Sequence, residues 1–372
     1  MKLFLVFLLL AHLAFSQSTF FTGGNICKDE DWHLTFSDEF DGDSLDQSKW
    51  SSHFPCSDGS DQCDGARVAD GGIYLDSNII VSNGTLKFIT KKQTTTWFSK
   101  TRDYTSGMIY SKSSPYRFKY GKFEIRCKVP SGKGFFSTFW MFGGDGVGTA
   151  TEIDVFEISG STPNHHHLGI LKYHETELIS QYDYGYDGND FSREFHVFDA
   201  TWDPFFINFS VDGTQVFHIA RFMTLAGREV NWCCVDPGVY NMNPSYPSGE
   251  SNQVSIIAFL TLLTGNDAPN NSTTFPNQME VDYIRLYQRD TISKPDNECV
   301  ITLFPNPVLD KLTVKKNNMN FIKIQNVFGE EILSLKVNGD ESEIDVSDLK
   351  RGIYFILVNS GTDILSGKLI KL

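Results

Sequence analysis

The sequence predicts an all-β protein: a large β-sandwich or jelly roll followed by a smaller β-sandwich. Three observations carry this. Short alternating or wholly apolar runs recur between Gly, Asn, Asp and Pro turns from about residue 30 to 288. No stretch sustains the apolar period of an amphipathic helix. A polar, turn-rich segment, 289–299, then separates this region from a second set of strand-like runs, and 372 residues suffice for two cores.

The chain opens on a lone Lys2, an apolar run and small residues at Ala14 and Ser16. Residues 1–16 read as a secretory signal peptide cleaved before Gln17, being too short for a comfortable membrane span. Strands are expected at 84–89, 121–129, 206–212 and 281–287, and Asp212-Gly213 is a hairpin signal. In the second unit, 300–372, strands are expected at 311–314, 321–324, 353–358 and 368–372. No later segment is long and apolar enough for membrane insertion.

The 46 acidic and 32 basic side chains give a formal charge of −14. Such a balance argues against nucleic acid and anionic membranes as partners, and a monomer is expected. The seven cysteines show no paired CxxC pattern for zinc. Cys56 and Cys63 flank a short Asp/Gly/Ser loop and are the best candidate disulfide, since export permits one. Cys127 reads as a buried thiol in a strand.

The candidate chemistry lies in Thr151-Glu152-Ile153-Asp154-Val155-Phe156-Glu157-Ile158. Side chains alternate along a strand, so Glu152 and Asp154 share one face while Ile153 and Val155 take the other. Glu157 joins the acidic face only if a β-bulge at Val155–Phe156 absorbs one residue. Three carboxylates on one face repel, so at least one holds a proton near neutral pH. One ionised carboxylate beside one protonated carboxyl is the requirement of retaining glycoside hydrolysis. The alternative is a solvated, inert acidic strand.

Aromatic residues make up 14% of the chain, enough to supply both a core and platforms for the apolar faces of sugars. Just before the acidic run lie Phe136 and Trp140, with Trp140 the better platform; Trp97, Trp202 and Trp232 read as structural. Asn164-His165-His166-His167 reads as a solvated loop, and His174 as the better contact for substrate hydroxyls.

Glu152-Ile153-Asp154-Val155-Phe156-Glu157 matches the ExDxxE signature of glycoside hydrolase family 16. The runs Phe36-Ser37-Asp38-Glu39-Phe40, Tyr104-Thr105-Ser106-Gly107-Met108-Ile109, Tyr120-Gly121-Lys122-Phe123-Glu124-Ile125-Arg126 and Met279-Glu280-Val281-Asp282-Tyr283-Ile284-Arg285 resemble the family's strands in its order. The resemblance implies a concanavalin A-like jelly roll over 30–288. It also implies Glu152 as nucleophile, Glu157 as acid and then base, and Asp154 tuning both. No cofactor is required for the chemistry. Family members often hold a structural calcium, and Glu39 and Asp282 stand where its ligands would lie. Departures from the family's usual pattern at Phe136, at 260–266 and at the triple His bear on sugar specificity.

The tail has its own likeness. Leu303-Phe304-Pro305-Asn306-Pro307, Asn326-Val327-Phe328-Gly329 and Leu349-Lys350-Arg351-Gly352-Ile353-Tyr354 resemble the C-terminal sorting domain of type IX secretion, a system of Bacteroidota. That implies the type IX machinery as a partner and export to the medium or cell surface. The expected activity is endo-hydrolysis of a polysaccharide, β-1,3- or β-1,3/1,4-glucan. Alternatives are an agar-type red-algal galactan, or a non-catalytic glucan-recognition protein on the same fold.

Overall fold

The computed structural model describes residues 32–372 except 57–61, 70, 113–116, 145–148, 176, 224–240, 244–245, 248–252, 290–300 and 361–362. The expected signal peptide, Trp232 and nearly all of the expected linker lie outside these residues.

The described chain is built from strands, with two short 3-10 turns at Asp76–Asn78 and Gly265–Asp267. The first unit is a sandwich of two antiparallel layers. One layer carries, in spatial order, the strands Glu177–Asp187, His165–His174, Thr149–Ser159, Phe135–Gly144, Gln253–Leu262 and Lys100–Ser111. The other carries Thr85–Trp97, Asn277–Gln288, Gly121–Lys128, His196–Trp202, Phe206–Val211 and Thr214–Ala220. The hairpin of Thr85–Trp97 and Lys100–Ser111 joins them. Its outer ends pair with each other, while Leu86–Thr90 pair in one layer and Gly107–Tyr110 in the other.

Alternation explains which residues fill the space between the layers. Phe123, Ile125 and Cys127 face inward from one layer, and Phe135, Phe139, Met141, Ile153, Ile158, Leu168 and Ile170 from the other. Burying each such aliphatic or aromatic side chain contributes about 2 kcal/mol. The expected Asp212-Gly213 hairpin is present, with both residues at positive φ (49° and 75°), the mirror-image turn that Gly permits and Asp tolerates. Cys56 and Cys63 are bonded, and Cys127 is a buried free thiol. Trp202 is in the core, and Trp97 lies under the Arg67 guanidinium.

The tail forms a separate five-stranded sheet from Thr302–Phe304, Lys311–Asn326, Glu331–Asp345, Gly352–Ser360 and Asp363–Lys371. Its own core includes Val308, Leu312, Val314, Ile322, Ile324, Ile356 and Leu369. The two strands expected at 311–314 and 321–324 are a single long strand. Register shifts around Met319 carry it through the polar stretch 315–318.

Candidate active site

The acidic strand, Thr149–Ser159, lies between the strands His165–His174 and Phe135–Gly144. Trp140 pairs with Asp154, but the preceding Phe139 pairs with Phe156, so Val155 is an extra residue. This is the expected bulge. Val155 and Phe156 both turn inward, and Phe156 packs on Phe198 with ring centroids 4.6 Å apart. Strand phase therefore reverses, and Glu152, Asp154 and Glu157 share one face. On the neighbouring strand their partners are Phe142, Trp140 and Thr138. Five residues of separation are thus compressed to four rungs, about 13 Å between backbone positions. Inward-leaning side chains can close the rest.

Three rows cross the face. Glu157 lies between His167 and Thr138, with Phe259 and Met108 beyond Thr138. Asp154 lies between Gly169 and Trp140, with Ile257 and Tyr110 beyond. Glu152 lies between Leu171 and Phe142, with Ser255 beyond. One flank of the acids is therefore aromatic. Trp140 meets Phe142, Phe259 and Phe54 at centroid distances of 6.0–6.4 Å, and Tyr74 and Tyr110 extend this cluster. The other flank is mostly polar: His167, Gly169, Leu171 and Tyr173, then Gln181, Asp183 and Asp187.

Burial raises all three acids. Glu152 is pushed up to about 7 by burial first and by the Glu157 charge second, while the hydrogen bond donated by Tyr173 Oη (3.3 Å) opposes the rise. Glu157 is also pushed up to about 7, chiefly by burial; His167 lowers it and Asp183 raises it. Asp154 is buried and held well above the usual carboxylate range by burial, then by Glu152 and Glu157. Such a trio shares protons across neutral pH rather than ionising together.

Folded-state values above the unfolded ones mean that the protonated forms are favoured by the fold. That contribution is complete below about 4.5, the ordinary glutamate value, and is lost as pH rises through about 7. A variant carrying Glu152→Gln, Asp154→Asn and Glu157→Gln lacks the loss. Between about pH 5 and pH 8.5 the wild type should fall by about 5 °C in Tm relative to this variant. Parallel melting curves would show that the acids are not strained by their burial.

Trp140 is where the sequence puts it, half-buried beside Asp154, and Phe136 lies two rungs beyond Glu157, opposite Ser159. His174 is not brought to the acids. It sits at its strand's end opposite Thr149, and alternation places it on the face of Leu168 and Ile170 rather than that of Tyr173. The triple His is strand, not loop. His165 pairs with Asp187, His166 is buried, and His167 stands beside Glu157. Tyr173, His167 and Asp183 are the residues that sequence reasoning missed. The alternating Tyr182, Tyr184 and Tyr186 were the available signal for the strand that carries Asp183.

Glu39 and Asp282 do not fit a calcium site. Glu39 makes a two-pronged ion pair with Arg285 (3.0 and 2.7 Å), and Asp282 pairs with Arg126 at 2.5 Å. Each carboxylate already faces a guanidinium, which opposes a divalent cation.

Comparisons with known proteins agree with this architecture. Residues 73–228 match the Glycosyl hydrolases family 16 profile, and residues 302–372 match that of a secretion system C-terminal sorting domain. Glucan endo-1,3-beta-glucosidase A1 of Niallia circulans is 28% identical over 271 residues, covering 69% of this chain and 38% of that protein. The beta-glucanase of Rhodothermus marinus is 24% identical over 274 residues, 69% of this chain and 85% of that one. The solved catalytic domain of an endo-1,3-beta-glucanase (laminarinase) from Thermotoga petrophila is 25% identical with a TM-score of 0.55, covering 70% of this chain and 99% of that one. Residues 73–228 thus carry a glycosyl hydrolases family 16 domain, and residues 302–372 carry a secretion-system C-terminal sorting domain.

Proposed function

We propose that this is an exported, retaining, endo-acting glycoside hydrolase that cleaves internal β-1,3- or β-1,3/1,4-linkages of glucan. The observation that carries the proposal is the row of Glu152, Asp154 and Glu157 on one face, flanked by an aromatic bed. Glu152 attacks the anomeric carbon and forms a glycosyl-enzyme, and its Tyr173 hydrogen bond favours the ionised form needed for attack. Glu157 protonates the leaving oxygen and then takes a proton from the incoming water. Asp154, buried between them, passes electrostatic change from one to the other. Trp140 supplies a platform for a sugar face. Its Nε1 and the Thr138, Ser255 and Thr261 hydroxyls are buried without a protein partner among the described residues. The sorting domain delivers the enzyme through type IX secretion to the medium or cell surface.

The names of the relatives favour glucan over agar-type galactan, and the presence of both glutamates favours an enzyme over a recognition protein. Release of reducing ends from laminarin, lichenan, agarose and carrageenan tests this. Rapid release from laminarin or lichenan, with an early fall in viscosity, is expected. Release from agarose alone would transfer the reading to a galactan. Binding without release would make the chain a recognition protein.

A further inference from the structure

The charged groups around Glu157 come from three strands. Its own strand brings Asp154 and Glu152. The next brings His167 directly opposite, with His165 two residues earlier, and the edge strand brings Asp183 and Asp187. From the other side the neighbour is the uncharged Thr138. His167 Nδ1 lies 3.5 Å from Asp183 Oδ1, and His165 Nδ1 lies 2.6 Å from Asp187 Oδ1. The His165 and His167 rings meet edge to face at 4.9 Å. Between Asp183 and Asp154 the intervening strand carries Gly169. A Cβ there would come within 2.3 Å of the Tyr182 carbonyl oxygen, so the gap between the two acids stays free of a side chain.

We infer that His167, held by Asp183, is a positioning residue for Glu157: the aspartate orients the imidazole and favours its cation, and the cation sets the proton affinity of the acid/base. The inference rests on the role given to Glu157 above. Its physical need is clear. An acid that must donate and then recover one proton per cycle works best near the operating pH. Burial and two neighbouring acids push Glu157 upward, and a cation directly across the strand is the opposing force. In agreement, Asp183 raises the proton affinity of His167 and His167 lowers that of Glu157. Both members of the pair are about half exposed, so their replacement leaves the core untouched.

The test uses the full-length protein with His167→Gln, His167→Lys and Asp183→Asn. In His167→Gln the basic limb of kcat/KM should move up by about one pH unit, with the acid limb in place. His167→Lys restores a cation and should bring the limb part of the way back. Carboxyl carbon NMR should show the Glu157 midpoint rising in His167→Gln, and proton NMR should show the His167 midpoint falling in Asp183→Asn. An unmoved Glu157 midpoint in His167→Gln, or an unmoved His167 midpoint in Asp183→Asn, overturns the inference. The titrations need no turnover. Absence of hydrolysis in the wild type therefore counts against the proposed function alone, and the dyad is still decided.

Discussion

Glu152→Gln is expected to leave a folded protein that binds glucan and hydrolyses it at least about a thousandfold more slowly. The amide keeps the shape of the side chain and its contact with Tyr173 Oη. It removes the oxyanion that must attack the anomeric carbon, and no other carboxylate can take over. Asp154 sits two residues along the same face, but it is buried, and burial with the Glu152 and Glu157 charges holds it well above the usual carboxylate range. Because burial strains the charge of Glu152, the variant should also be more thermally stable than the wild type above about pH 7. Retention of more than about a tenth of the wild-type rate would remove Glu152 from the nucleophile's role.

Glu157→Ala is expected to show a different kind of loss. Natural glucans have poor leaving groups, so hydrolysis should fall by about a hundredfold to ten-thousandfold. An aryl glycoside that needs no protonation should still form the glycosyl-enzyme, which then accumulates because no base activates water. Azide, which needs no base, should speed turnover of that substrate and give a glycosyl azide of retained configuration. Inverted product would rule out the double displacement. The comparison also separates Glu157 from His167: loss of the acid removes the basic limb of the pH profile, whereas loss of the histidine moves it.

The acidic strand was legible because its argument is local. Alternation over eight residues, with apolar residues at Ile153, Val155, Phe156 and Ile158, leaves one arrangement that keeps every carboxylate off the core. Trp140 was legible for the same reason, since it lies on the adjoining hairpin strand. What failed was long-range. His174 is near the acids in sequence but on the wrong face, and His167 reads as part of a solvated loop until the pairing of its strand is known. Asp183 meets the site only through the pairing of the last two strands of that sheet. The partners of Glu39 and Asp282 lie 246 and 156 residues away, and no local pattern announces them. In the tail, the polar residues at 315–318 hide the continuity of one long strand, because its register shifts there and no apolar alternation marks it.

The bulge at Val155 has a consequence for how the chain finds its fold. A uniform strand can slide by whole repeats and still keep its greasy side inward, so neighbouring pairings compete. Here the greasy side changes parity halfway along. Any alignment that straightens the bulge forces Glu157 into the interior and turns Ile158 out to water, at a cost of several kcal/mol for the desolvated carboxyl. The acids thus act as registration marks: the strand is welcome in its sheet in only one alignment, the one that places all three where chemistry can use them. Assembly errors and a misplaced catalyst are excluded by the same penalty.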